Sequence, residues 1–83
     1  MNSLVIIGRR WNDVHGNTYH TADIIADGIP VGDSSEIHYG YGDHYLQTAA
    51  EQLGFDMPIT RYCRDNDIAL TYRATDVNRK KDL

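Results

Sequence analysis

Four short stretches of the chain have the residue pattern of β-strands. The first, at residues 3–8, is a nearly continuous β-branched run, which predicts a strand that is central in its sheet or buried on both faces. Residues 18–26 are rich in Thr, Tyr and Ile and predict a strand, residues 68–75 alternate apolar and polar positions and predict a strand with one inward face, and a further strand is predicted at residues 36–41. A shared face is predicted for His20, Ala22 and Ile24 in the second strand and, turned inward, for Ile68, Leu70, Tyr72 and Ala74 in the last.

Turn-forming residues separate these strands. Residues 9–17 contain two pairs of residues that tolerate left-handed backbone, so they predict a loop that reverses the chain. Asp27-Gly28 is a tight-turn pair that ends the second strand. Because Pro30 cannot donate a hydrogen bond to a sheet, residues 29–32 predict a short edge segment or a turn.

From Asp43 onward the apolar residues follow the spacing of a helix instead of a strand. The pattern predicts a helix over residues 43–53 with Asp43 as its N-cap and Gly54 as a left-handed C-cap. Its small alanines allow a close approach to the sheet. The residues of its apolar stripe are Tyr45, Leu46, Ala49, Ala50 and Leu53.

A second, shorter helix is predicted at residues 56–66, with Asp56 as its cap and Pro58 in its first turn. The order of elements is then β-β-β-α-α-β. This order predicts an α+β fold with a largely antiparallel four-stranded sheet and the main helix packed on one face. Residues 1–83 are predicted to form one small domain, of which residues 76–83 are a charged tail that frays.

The charges of the chain are unevenly distributed. Eight basic and twelve acidic residues give a net charge of −4, and the basic residues cluster at 9–10 and 79–81. Proteins that bind nucleic acid carry a basic excess, so this balance favours a protein partner. The acidic residues that load the middle of the chain are Asp13, Asp23, Asp27, Asp33, Glu36 and Asp43.

Two features of the sequence indicate the cellular compartment in which the protein is expected. The apolar run at residues 4–7 is too short for a membrane span and lacks the flanks of a signal peptide. Cys63 is the single cysteine, so it cannot form an internal disulfide. We therefore expect a cytoplasmic protein that does not enter a membrane.

Few residues point to catalysis or metal binding. His15, His20, His38 and His44 do not have the spacing of a helix-face ligand pair, which favours strand and loop histidines that form hydrogen bonds across the sheet. Cys63 falls on the apolar side of the second helix and is expected to be a small buried hydrophobe. The residues thus predict no catalytic group, no metal and no cofactor, and a metal-assisted or cysteine enzyme is the third-ranked alternative.

The turn Tyr39-Gly40-Tyr41-Gly42-Asp43 leads directly into the main helix. A helix N-terminus directs free N–H groups at an anion, so a phosphate site is one interpretation of this turn. The carboxylate of Asp43 would fill and repel that position, which favours a structural corner between strand and helix instead.

Four segments of the chain carry a resemblance to known proteins. They are Arg9-Arg10-Trp11, Gly16-Asn17-Thr18-Tyr19-His20, the run from Tyr39 to Ala49 and the tail from Asp76 to Leu83. In these segments the chain resembles small uncharacterised proteins encoded in tailed-phage and prophage genomes. The resemblance spans most of the chain and carries no catalytic motif. It implies a phage-type accessory protein of the host bacterial cytoplasm, which binds and blocks a host factor such as a CRISPR effector or another defence enzyme.

The residues predicted to form the binding surface are Arg9, Arg10, Trp11, Tyr19, Tyr39, Tyr41 and His44. Tryptophan and arginine supply much of the energy at protein interfaces, and here they are adjacent. In the alternative interpretation Trp11 covers the edge of the core and the arginines pair with nearby aspartates. A further alternative is a small nucleic-acid or nucleotide-binding module that uses a tyrosine-rich sheet face. Open strand edges and surplus tyrosines also predict self-association as a homodimer.

Overall fold

Two long antiparallel strands form the middle of the sheet in the computed structural model, which describes residues 1–32 and 36–83. Strand β1 spans Ser3–Asn12 and strand β2 spans Thr18–Ala26. They pair in one register, in which Leu4 lies opposite Ala26 and Asn12 opposite Thr18. The boundaries predicted for β2 are confirmed. Strand β1 is central in the sheet, which was one of the two predicted alternatives, because another strand lies on each side of it.

Strand β1 is longer than the sequence pattern predicts, so Arg9, Arg10 and Trp11 lie in a strand and not in a loop. Pairing with β2 extends β1 through these three residues to Asn12, and only residues 13–17 remain as the turn. Within this turn, the Asp13 side chain accepts hydrogen bonds of 2.9 Å from two backbone N–H groups, those of His15 and Asn17.

Three further strands complete a mixed five-stranded sheet. Strand β5, Ala69–Asp76, runs parallel to β1 on one side. Strands β3, Ile29–Val31, and β4, His38–Tyr39, pair one after the other with the opposite edge of β2, both antiparallel. The α+β class is confirmed, and three of the four strand pairings are antiparallel.

The differences from the predicted strands lie at the β2 edge. The predicted edge segment that contains Pro30 is the short strand β3, and it follows a turn in which Asp27 and Gly28 both have positive φ. The strand predicted at residues 36–41 is reduced to the two residues of β4, because the chain turns at Gly40 toward the first helix. Of the acidic residues in the middle of the chain, Asp33 lies outside the described residues.

Both helices, α1 at His44–Gln52 and α2 at Ile59–Asp65, pack on the same face of the sheet. The core lies between them and the two central strands. Tyr45 of α1 sits over Gly8 of β1 so closely that a Cβ at Gly8 would lie 2.5 Å from Tyr45 Cγ. The buried apolar residues of the core are Leu4, Ile6, Ala22, Ile24, Tyr45, Ala49, Ala50, Ile59 and Cys63.

The helix ends agree only in part with the predicted caps. Asp43 occupies the N-cap position of α1 as predicted, but its side chain makes no capping hydrogen bond. The prediction of Asp56 as the cap of α2 is wrong, because Pro58 occupies that position and its carbonyl accepts the first helical hydrogen bond from Tyr62. At the end of α1, Gly54 has φ +78° and the left-handed conformation that was predicted.

Strand β5 is an edge strand, which explains one exposed residue. Leu70 and Ala74 pack against the core as predicted, whereas Tyr72 is on the same face but 47% exposed. Beyond β5 the backbone N–H of Val77 donates to Arg10 O at 2.7 Å, and a short 3-10 helix forms at Lys80–Asp82. Fraying of the tail stays a prediction.

The end of α1 generates a first testable prediction. The N–H groups of Gly54 and Phe55 donate to the carbonyls of Glu51 and Ala50, at 3.1 and 2.9 Å, which is a Schellman motif. No atom lies within 4 Å of a Cβ built on Gly54, so a substitution there acts through φ alone. Gly54→Val should lose about 1–2 kcal/mol of unfolding free energy, and Gly54→Asn clearly less.

Urea denaturation at neutral pH measures the difference. Gln52→Val, at the exposed end of the same helix, is the control, because it reports the helix propensity of valine without a positive φ. Equal losses for the two Gly54 variants would contradict the left-handed cap.

Candidate functional site

Three aromatic rings form a row on the sheet face that the helices leave open. Trp11 of β1 lies opposite Tyr19 of β2, and Tyr19 lies opposite Tyr39 of β4. The ring centroids are 5.9 Å apart for the first pair and 5.5 Å for the second. We call Trp11, Tyr19 and Tyr39 the aromatic row. It arises because odd-numbered residues of β1 point away from the helices, on the side opposite to buried Leu4 and Ile6.

An open cleft of about 550 Å³ lies along this row. Besides the three rings it is lined by Ile37, 41% exposed, and by one charged residue of each sign, Asp13 and Lys80. Tyr39 is itself 63% exposed. The cleft thus combines exposed apolar surface with a positive and a negative group at its margin.

Arg9 lies on the same open face, two residues before Trp11 in β1. Its guanidinium forms an ion pair of 2.6 Å with Asp23 of β2. The Arg9 side chain remains 39% exposed, and its guanidinium carries N–H donors in addition to the Nη1 that binds Asp23. Such a partly exposed ion pair contributes little stability.

Arg10 points to the opposite side of the sheet, because successive strand residues alternate between faces. Its Nε donates to the Asp76 carboxylate at 2.8 Å and its Nη1 donates to Gly42 O at 3.0 Å. These bonds tie the end of β5 and the loop before α1 to the central strand. The structure therefore separates two arginines that the sequence placed in one surface. Both arginines pair with aspartates, which agrees with the alternative interpretation of this segment. Trp11 lies outside the core.

The remaining predicted residues lie in the turn that precedes α1. Tyr41 is 79% exposed, whereas the His44 ring is half-buried and packs over Gly40. Both line a second open cleft of about 550 Å³. Tyr39 lines this cleft as well as the first, so the turn adjoins the aromatic row.

Beneath the turn lies a fully buried histidine that the binding-surface prediction did not include. His20 Nδ1 is 3.1 Å from Gly40 O, and His20 Nε2 is 2.6 Å from Thr48 Oγ1 of α1. A carbonyl only accepts, so Nδ1 carries the proton and donates to Gly40, while Nε2 accepts from the Thr48 hydroxyl. The neutral ring thus connects β2, the turn and α1. The signal for its burial in the sequence was the face predicted to be shared by His20, Ala22 and Ile24.

Two other histidines surround this ring. The His38 ring is stacked with it at a centroid distance of 5.7 Å, and the His44 ring meets it edge-on at 5.2 Å. Burial lowers the pKa of His20 below its ordinary value of 6.5; the hydrogen bond to Gly40 opposes this, and the charges of His44 and His38 add to it. The cluster therefore favours a neutral His20.

Cys63 and the possible metal ligands are the remaining candidate sources of chemistry. Cys63 is buried in the core, as expected, and burial raises the pKa of its thiol, which disfavours the reactive thiolate. Across residues 1–32 and 36–83, no three histidine, cysteine or acidic side chains come together in a way that could hold a metal ion. Among the same residues, no helix is both long and apolar enough to cross a membrane.

In comparisons with protein-family models, curated proteins and solved structures, nothing matched this chain.

The buried histidine predicts a pH-dependent stability. Because the folded-state pKa of His20 is depressed, its contribution is fully present above the unfolded pKa of about 6.5 and is lost as the pH falls through the folded pKa. The free energy of unfolding should therefore decline below pH 6.5, by at most about 1.4 kcal/mol per pH unit for one proton. Urea denaturation between pH 7.5 and 4.5 measures this slope.

Two variants assign the slope to a residue. His20→Gln should flatten it, and His15→Gln, in the exposed turn, should leave it unchanged. Asp13 and Asp27 also have lowered pKa values, through bonds from the backbone N–H groups of Asn17 and Asn2, but they act below about pH 4. An equal slope in His20→Gln would contradict the assignment.

Proposed function

We propose that this protein binds another macromolecule through the open face of its sheet and acts as a phage-type accessory protein. In this proposal the partner is a protein complex of the host bacterium, which is inhibited or redirected in the cytoplasm as an anti-defence, anti-CRISPR-like protein would do. The observation that carries the binding function is the aromatic row on the sheet face opposite to α1 and α2. The phage setting rests on the resemblance of the chain to phage-encoded proteins.

Three adjacent aromatic rings on one sheet face are well suited to bind a partner. Tryptophan and tyrosine present large, rigid contact areas and lose little conformational entropy on binding. Within the aromatic row, the rings of Tyr19 and Tyr39 meet edge-on at 76°. This favourable contact stabilises the orientation of both rings in the free protein. A preorganised aromatic surface beside the accessible guanidinium of Arg9 has the composition of an interface centre.

Charge favours a protein as the partner. The whole chain carries a net charge of −4, which would oppose a polyphosphate backbone. The margin of the cleft carries Asp13 and Lys80, one charge of each sign, which suits a mixed protein surface.

A second candidate function uses the same face. Rings on neighbouring strands, 5.5 and 5.9 Å apart, could stack successive bases of a single-stranded nucleic acid, as small β-rich modules do. A gel shift with a single-stranded oligonucleotide, repeated at rising salt, tests this candidate. A shift at low salt that weakens as the salt concentration rises would favour nucleic acid over protein.

The proposed surface is tested by a pair of matched tyrosine variants. Tyr39→Ala removes an exposed ring of the aromatic row, and Tyr72→Ala removes an exposed ring at the sheet edge on the helix side. Capture of host complexes from a prophage-bearing bacterium, quantified by mass spectrometry, should fall at least about tenfold for Tyr39→Ala, since central aromatic residues contribute 2 kcal/mol or more. The control should capture wild-type amounts.

Arg9→Gln is a second probe of the same surface. It removes the positive charge without placing a carboxylate beside Asp23, and it should reduce capture several-fold without unfolding the protein, because the Arg9–Asp23 pair is partly exposed. Arg10 is unsuitable as a probe, because its side chain binds both Asp76 and Gly42 O. Wild-type capture by both Tyr39→Ala and Arg9→Gln would remove the open face from consideration.

Self-association is part of the proposal. Among the described strands, β5 pairs only with β1, so its outer edge presents free N–H and C=O groups to a second copy. Light scattering at high micromolar concentration should give about twice the chain mass of 9.4 kDa. The monomer mass at that concentration would contradict a homodimer.

A further inference from the structure

The helix layer contains a groove of about 510 Å³ between α1 and α2, on the side of the sheet opposite to the aromatic row. Its floor is apolar and well defined. Ala50 and Ile59 are buried at its base, and Phe55 is held in position by stacking on Tyr62 at a centroid distance of 3.8 Å. Half-buried Leu46 and Met57 complete the apolar lining, and the methionine can adapt its shape to a guest.

The charged residues that line the groove are both acidic. Glu51 of α1 and Asp56 of the connecting loop are exposed at its margin. Glu51 accepts one long hydrogen bond of 3.3 Å, from the Gln47 amide. The arginines of α2, Arg61 and Arg64, have their guanidinium groups 3.7 and 3.6 Å from Asp65. The groove therefore combines an apolar floor with two carboxylates at its margin.

We propose that this groove binds a basic amphipathic segment of a protein partner. Apolar side chains of the segment fill the groove, and lysine or arginine residues beside them meet Glu51 and Asp56. The volume suits a few such side chains, and oppositely charged neighbours at an apolar groove set both the orientation and the choice of partner. This site uses none of the residues of the aromatic row, so it stands or falls independently of the proposed function.

The test uses two synthetic twelve-residue peptides of the same apolar pattern, one of leucine and lysine and the other of leucine and glutamate. Fluorescence anisotropy at low salt should show binding of the lysine peptide and at least tenfold weaker binding of the glutamate peptide. The double variant Glu51→Lys with Asp56→Lys should bind the lysine peptide at least about fivefold more weakly than the wild type.

A matched control separates local from overall charge. Asp65→Lys with Asp82→Lys changes the net charge equally but lies outside the groove, so it should keep most of the wild-type affinity. Thr60→Trp places a bulky ring in the groove from an exposed position and should abolish binding without disturbing the core.

Three results would overturn the proposal. The first is no binding of the lysine peptide at millimolar concentration, and the second is equal loss of affinity in the groove variant and the charge control. The third is wild-type affinity in Thr60→Trp, with circular dichroism establishing that the variant is folded.

Discussion

The close contact of Tyr45 with Gly8 determines how the helix layer lies on the sheet. A side chain at position 8 would collide with the aromatic ring, so glycine permits α1 to rest directly on the central strand. From that position Ala49, Ala50 and the buried residues of α2 cover one face of β1 and β2. A chain of 83 residues forms a single layer of α-helices here, and neither α1 nor α2 covers the other face of the sheet. The aromatic row occupies that open face.

The sequence pattern predicts best where one face of an element is buried against the core. Strand β2 was predicted with its observed boundaries, because a run rich in Thr, Tyr and Ile and an Asp27-Gly28 turn act together on consecutive residues. The end of α1 was predicted for a similar local reason, since only a left-handed residue completes the hydrogen bonds at Gly54.

Prediction was poorest where distant pairing outweighs local preference. Residues 9–12 resemble a loop in sequence, but pairing with β2 holds them in a strand. Strand β3 is paired in spite of Pro30, because proline at a sheet edge removes no hydrogen bond that its neighbour needs. The parallel pairing of β1 with β5 joins residues more than sixty positions apart, and no local pattern reports it.

The candidate site also combines features set by neighbouring residues with features set by contacts between distant parts of the chain. Sequence adjacency suggested one surface that includes Arg9, Arg10 and Trp11, but strand alternation places Arg10 on the other face, where it binds Asp76 and Gly42. The sequence predicted that the histidines form hydrogen bonds across the sheet but did not identify the partners of His20, because Gly40 and Thr48 are 20 and 28 residues away. Since Tyr39 immediately precedes Gly40, the bond from His20 also determines where β4 ends and how the exposed ring is presented. The buried polar network beneath the turn thus supports the part of the open face that Tyr39 forms.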